Sequence, residues 1–495
     1  VVTIASGSLE GSSWGEAGGV FLGIPFAAPP VGDLRWKEPQ PVIPWKGLRQ
    51  AKNYASSAMQ VLTKDGFLPW TPEFCVQNEV SEDCLYLNVW SPSLKADAKL
   101  PVIVFIHGGA FTGGSGEVPL YEGTRLAQKG VVVVTINYRL GIFGFFAHPG
   151  LTAESPRGAS GNYGLMDQIA ALRWVRENIA AFGGDRDRVT IWGQSAGSFS
   201  VKALLFSDEA RGLFQRAFCA SGIGVFSRDI DSLASAEAEG ARVAAAHGAE
   251  GLGALRALPA EELLKWDYKY RHPIADGWVL RKSFAELAEE GAGSAVPVMT
   301  GYTGHDGMLS IPQIDSMTAW NAYAERLFGA MSGEFCRLYP AETPDTARRA
   351  ALESARDRER VLMALFAEQW AARRQLPVYA YFFTRAVPWP EHPEYGAFHS
   401  GELPYFFDNQ KILVRPWEAV DRELAATASA YLVNFAATGD PNGGVLPLWS
   451  GAASGPSRIQ ELGERVGPMA VADEAKESFW RRVLTSDLAG NMPFL

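Results

Sequence analysis

The sequence predicts an α/β protein built on a mostly parallel sheet, and three observations carry that prediction. Two runs, Val102–His107 and Val131–Tyr138, are rich in aliphatic residues over most of their length, as central strands covered on both faces must be. Between the second run and a third, Val189–Trp192, lies Tyr163–Ala181, with Ile169, Leu172, Val175 and Ile179 at helical spacing. The third run ends on Gly193 and passes at once into a turn and a helix-like stretch. Strand, helix, strand, then strand, turn, helix is the alternation of a parallel sheet.

The other elements follow in chain order. Val1–Ile4 and Val20–Ile24 read as short strands broken by Gly and Pro. Further strands are expected at Val296–Thr300 and Val378–Phe383, and helices at Arg358–Arg374 and Asp421–Ala437. Two helical blocks, about residues 229–266 and 318–360, read as excursions from the sheet that roof a pocket. Length alone would suggest about three domains. The lack of a repeat or a long linker favours one domain over residues 1–495 with two insertions.

Composition narrows the partners. Of 495 residues, 47% are hydrophobic, enough for a large core. Acidic residues outnumber basic ones 55 to 45, giving a net charge of −10. No broad basic face can form, so a nucleic-acid partner is not expected. No apolar run approaches the roughly 18 residues of a membrane span. A monomer and a homodimer are both compatible with this pattern. The chain opens at Val1 without Met or a signal peptide, which fits a removed leader or a trimmed start. Cys75 and Cys84 stand nine positions apart in a polar stretch and are expected to close a small disulfide loop. Cys219 reads as a buried free thiol, and Cys336 sits in a helix-like segment. One disulfide would suit a secreted or periplasmic protein.

Two motifs carry chemistry. Gly193-Gln194-Ser195-Ala196-Gly197 is a G-x-S-x-G sequence between a strand and a helix, the context of a nucleophile elbow. So tight a turn strains the serine and requires small residues two positions either side. It also places the hydroxyl at a helix N-terminus, which favours developing negative charge. His107-Gly108-Gly109-Ala110-Phe111 ends the strand beginning at Val102. Adjacent glycines let backbone N–H groups turn toward a reacting oxyanion, so Gly108, Gly109 and Ala196 are the expected donors. His107 reads as a brace for that loop.

With these motifs in hand, the chain resembles the type-B carboxylesterase family, which includes cholinesterases and some fungal lipases. Matching stretches are Phe21-Leu22-Gly23-Ile24-Pro25-Phe26-Ala27, Leu34-Arg35-Trp36, Ser81 to Val89, Asn137-Tyr138-Arg139-Leu140-Gly141, and Gly161 to Gln168. They span most of the N-terminal half, in the family's order. The resemblance implies the α/β-hydrolase fold, hydrolysis of a small-molecule carboxylic ester, and no cofactor or metal. A catalytically silent adhesion module is a relative of the same fold, but this chain keeps the full motif set. A lipase and an esterase of aromatic esters are the other enzyme readings, the lipase disfavoured by a short polar Trp70–Glu79 loop.

A serine nucleophile needs a base and an orienting acid, in this fold in the order Ser, acid, His. Phe398-His399-Ser400-Gly401-Glu402 resembles the family's histidine loop and points to His399; His392, between prolines, reads as surface. Gly301-Tyr302-Thr303-Gly304-His305-Asp306-Gly307 resembles the family's acid segment, with Asp306 where most relatives have Glu. The alternative is that Asp306 caps a helix and another acid serves. His305 reads as a bystander.

Three departures from the family's pattern carry information. Gln194 replaces the Glu of many relatives; in cholinesterases that acid helps a cationic ligand site, so choline esters are disfavoured. The family's partner for Cys84 falls near Ser57-Ala58-Met59-Gln60, which lacks Cys, leaving Cys75 as a substitute. Lys265, Lys269 and Arg271 intrude among aromatics just before Pro273, where relatives line the acyl pocket, and Arg228 follows Phe226 in a second bordering stretch. Either the acyl group is anionic, as in polycarboxylate esters of the fumonisin tricarballyl type, or these are cations on a solvated loop.

Overall fold

The computed structural model describes residues 1–224, 230–249, 251–452 and 459–492. Among them, eleven strands form one sheet. In chain order they are β1 (Ser12–Trp14), β2 (Gly18–Pro25), β3 (Tyr86–Ser91), β4 (Leu100–Ile106), β5 (Val132–Ile136), β6 (Gly184–Gln194), β7 (Arg216–Ala220), β8 (Val298–Thr303), β9 (Val378–Phe383), β10 (Ile459–Leu462) and β11 (Val466–Met469). Across the sheet they run β1-β2-β3-β5-β4-β6-β7-β8-β9-β10-β11. The seven strands from β5 to β10 pair in parallel, and both ends of the sheet are antiparallel. This is the α/β-hydrolase arrangement that the sequence predicts.

The central strands are apolar on both faces because both faces are covered. Val102, Val104 and Ile106 of β4 point into one core, and Ile103 and Phe105 into the other. Helix α1 (Tyr163–Asn178) and helix α2 (Ala196–Phe206) pack on the first face. On the second face lies α5 (Ala419–Thr438), reached after the long α4 (Pro344–Arg374). Each fully buried aliphatic side chain contributes about 1.5–3 kcal/mol relative to exposure, so the central strands anchor the molecule.

The strand order positions the site. β4 lies between β5 and β6, so the chain turns in opposite directions on either side of it. Ligands bind at such reversals, at the carboxyl ends of the strands. The register pairs Gly193 with Ile106, placing the loop after β4 directly beside the turn after β6.

The first helical block holds helices at Leu233–Ala246, Leu252–Ala257 and Ala260–Leu263, and its end lines the pocket with Leu263, Leu264 and Trp266. The second block, α3 (Met317–Phe328), the helix Ser332–Leu338 and the first half of α4, packs behind the sheet end that carries Asp306.

The expected disulfide is absent. Cys75, Cys84, Cys219 and Cys336 are all free thiols. Cys75 lines the large pocket, with Thr63 Oγ1 4.0 Å from its sulfur. Cys84 is fully buried in a separate small cavity beside Arg139. The two thiols face different compartments, so proximity in sequence does not make them partners. With the disulfide goes the cysteine argument for an oxidising compartment.

Candidate active site

Ser195 stands between β6 and α2 with φ 57° and ψ −124°. Such a backbone conformation costs a non-glycine residue of order 1–3 kcal/mol and persists only where its surroundings enforce it. Here the Ser195 N–H donates to the Ala220 carbonyl at 2.9 Å, and its own carbonyl accepts from Phe199 at 3.0 Å. The flanking glycines are obligatory. A Cβ on Gly193 would lie 2.1 Å from the Gly197 carbonyl oxygen, and one on Gly197 would lie 2.0 Å from that of Ile106.

The glycine loop after β4 lies against this turn. A Cβ on Gly108 would stand 3.0 Å from Ser195 Cβ. Gly109 has φ 108°, and a side chain there would meet the Gly113 carbonyl at 2.2 Å. Gln60 pins the loop through Gly114, accepting from its N–H at 2.8 Å and donating to its carbonyl at 2.9 Å. Among the described residues, nothing accepts a hydrogen bond from the N–H of Gly108, Gly109 or Ala196. Three donors are thus left for a ligand. His107 is buried behind them. Its Nδ1 is 2.8 Å from the Gly108 carbonyl, and its ring stacks on Tyr138. Burial pushes its pKa down to about 4, so it stays neutral and serves as a brace.

His399 enters from the loop after β9, and Asp306 from the short helical turn after β8. His399 Nδ1 is hydrogen bonded to Asp306 Oδ1. The other oxygen, Oδ2, accepts from the Ser221 hydroxyl at 2.7 Å and the Thr303 N–H at 2.6 Å. Asp306 is therefore held by donors on both oxygens. Its carboxylate belongs to the histidine. On the ring's far side, Gln194 Nε2 lies 3.1 Å from His399 Nε2. The Ser195 hydroxyl makes no hydrogen bond among the described residues, though Ser195 and His399 line the same pocket. His305 is turned away, with Nδ1 accepting from Ala397 N–H and Nε2 against Arg356. His392 is a surface residue paired with Glu394.

Two further buried acids surround Asp306. Glu402 and Glu359 are both pushed well above the usual carboxyl range, by burial first and then by the charge of Asp306. Neither makes a hydrogen bond among the described residues, and Arg358 Nη2 approaches Glu359 at 3.5 Å.

The pocket has a volume of about 520 Å³. Its walls are mostly apolar, with Phe67, Trp70, Leu263, Leu264, Trp266 and Leu309. Among the described lining residues, Arg271 carries the only permanent charge. Its guanidinium donates to the Trp266 carbonyl at 2.6 Å, and no carboxylate lies within ion-pair distance among the described residues. Lys269 does not reach the pocket: it is exposed, with its ammonium over Tyr270. Lys265 is likewise exposed and paired with Glu262. The Arg271 N–H donates to the Lys269 carbonyl at 3.1 Å, a tight turn that breaks strand alternation, so these two residues, two apart, do not share a face. Phe226 and Arg228 lie outside the described residues. Several pocket and bracing residues carry no sequence signal of their own. Trp70 stands edge-on to His399 at 6.3 Å, and Ser221 is an ordinary serine after a strand.

A carboxylesterase family model matches residues 1–480. The chain belongs to the carboxylesterase family. It is a carboxylic ester hydrolase. It is 37% identical over 482 residues to fumonisin B1 esterase of Sphingopyxis macrogoltabida, covering 90% of this chain and 83% of that protein. It is 37% identical over 471 residues to para-nitrobenzyl esterase of Bacillus subtilis (strain 168), covering 89% and 90%. A solved structure of PNB esterase superposes with TM-score 0.80 at 31% identity, covering 98% of this chain and 99% of that one.

Proposed function

We propose that this carboxylesterase cleaves esters of carboxylate-bearing acids through Ser195, His399 and Asp306. The observation that carries the substrate reading is Arg271, a guanidinium with no carboxylate within ion-pair distance among the described residues, in a pocket wall whose other described residues carry no permanent charge. A cation placed there is suited to an anionic acyl group. Polycarboxylic esters of the fumonisin tricarballyl type are one example, and a relative named fumonisin B1 esterase is in keeping with it. The apolar mouth, with Val61, Phe67 and Leu309 exposed at it, suits an aliphatic alcohol.

The mechanism is acyl transfer in two steps. Ser195 Oγ attacks the ester carbonyl while His399 Nε2 takes its proton. Asp306 holds the proton on Nδ1 and stabilises the imidazolium. The N–H groups of Gly108, Gly109 and Ala196 receive the oxyanion. The alcohol leaves with the proton from His399. Water, deprotonated by the same nitrogen, then releases the acid and frees Ser195.

The test is a two-variant comparison. Ser195→Ala is expected to fold and to lose ester turnover; retained turnover would remove Ser195 from the reaction. Arg271→Ala is expected to lose about 10–100-fold in kcat/KM on a tricarballylate monoester, the worth of one charge-assisted contact. On a neutral acetate ester it should change little. Equal losses on both esters would end the anionic-acyl reading and leave the esterase reading standing.

A further inference from the structure

The proton-accepting nitrogen of His399 is already engaged. Its Nδ1 belongs to Asp306, and its Nε2 lies 3.1 Å from Gln194 Nε2. An amide nitrogen only donates, so the ring nitrogen facing it must carry a lone pair. That fixes His399 as the Nδ1–H tautomer, the form a general base needs. The contact is enclosed, with Gln194 and His399 3% and 5% exposed. Ser195, the group that must give its proton to this nitrogen, is not hydrogen bonded to it.

We propose that Gln194 is a positioning residue that follows the protonation of His399 by turning its amide. In the resting site its N–H holds the neutral ring. When Ser195 adds to the ester, Nε2 gains a proton and can no longer accept from an amide N–H. Two donors would then face each other at 3.1 Å. Rotating the amide by half a turn presents Oε1, which accepts from the imidazolium and stabilises it. Room for the turn exists because Gly108 has no side chain: Gln194 Oε1 lies 3.1 Å from where a Cβ on Gly108 would stand. A glutamate at this position can only accept, and it adds a negative charge. It would favour the protonated ring throughout. Glutamine supports both states without shifting the balance between them. The other groups facing the ring are Asp306 at Nδ1 and the Trp70 edge, with Glu402 on the same loop and Glu359 and Arg358 behind Asp306.

This inference rests on the Ser195–His399 assignment. Its test uses the whole enzyme and a neutral chromogenic ester, with fluorophosphonate titration of reactive serine to count intact sites. For Gln194→Glu, the acidic limb of kcat/KM against pH should move up by about one unit or more, as an opposite charge beside an imidazole requires. For Gln194→Leu, which neither donates nor accepts, the limb should stay in place. Its kcat should fall roughly tenfold, the worth of one hydrogen bond, with KM unchanged. An unmoved limb in Gln194→Glu, or wild-type kcat in Gln194→Leu, would overturn the proposal in enzyme that still titrates fully. Failure of the Ser195 assignment would look different, as sites that never titrate in the wild type.

Discussion

Replacing Asp306 by Asn tests the acid most sharply, because the structure dictates which way the amide must face. Asp306 Oδ2 accepts from the Thr303 N–H and the Ser221 hydroxyl. The Thr303 N–H is a fixed donor, so an asparagine must turn its oxygen toward it. Its NH2 group then faces His399 Nδ1, which must become an acceptor. The ring proton is driven to Nε2, and the base loses the lone pair that Ser195 requires. Loss of a correctly protonated base costs about 10³–10⁴-fold in kcat, roughly 4–5.5 kcal/mol of barrier. The fold should survive, since size and both short contacts at the oxygen are kept. The assay is kcat on a neutral nitrophenyl ester, with thermal melting as the control. A variant within tenfold of wild-type kcat would refute the argument and return Asp306 to the role of a turn cap.

Three other outcomes are expected. His107 titrates near 6.5 when unfolded but only near 4 in the fold, so the unfolded chain binds more protons between these values. Stability should fall as pH drops through this window, by up to about 3 kcal/mol from this residue, and urea midpoints of His107→Gln should fall less. The Glu359 carboxyl is pushed upward by burial and by Asp306. The folded state therefore holds its proton above the usual carboxyl range, and wild-type stability declines as pH rises toward its folded value. Denaturation of Glu359→Gln should show a stability gain over wild type that grows with pH; a gap independent of pH would be the contrary result. All four cysteines are free, so thiol titration in denaturant should give four per chain with or without prior reduction, and reductant should leave the melting temperature unchanged.

Legibility in the sequence followed the covering of each element. β4, β5 and β9 were readable because strands covered on both faces are almost wholly apolar, and β9 matches its expected bounds, Val378–Phe383. β10 and the edge strand β11 beside it were not read, since four-residue segments containing Gln460, Glu461, Gly467 and Pro468 carry little pattern. Helix α4 begins at Pro344, fourteen residues before the expected Arg358. Buried Asp357, Arg358 and Glu359 interrupt its apolar stripe, so periodicity reports only the second half. In the site, Ser195, the glycine loop, His399 and Asp306 were legible as local motifs. The sorting of Arg271 from Lys269 was not, because backbone irregularity decides which side chain reaches a pocket. Nor was the Gln194 contact, which joins residues 205 positions apart.

The acid cluster shows why the assignment turns on donors and not on the mere presence of a carboxylate. Asp306, Glu359 and Glu402 are all fully buried, and three charges in so small a volume would repel strongly. Only Asp306 has hydrogen-bond partners on both oxygens. Asp306 is met by Ser221, Thr303 and His399, whereas Glu359 and Glu402 make no hydrogen bond among the described residues and are pushed toward the neutral form. The result is one well-braced carboxyl group, aligned with Nδ1 of one imidazole. Under the proposed mechanism, this fixed position is what lets an aspartate do the work of a longer glutamate. A shorter acid works when its position is fixed by two donors on its rear oxygen, because the histidine then meets a carboxylate that does not have to search for it.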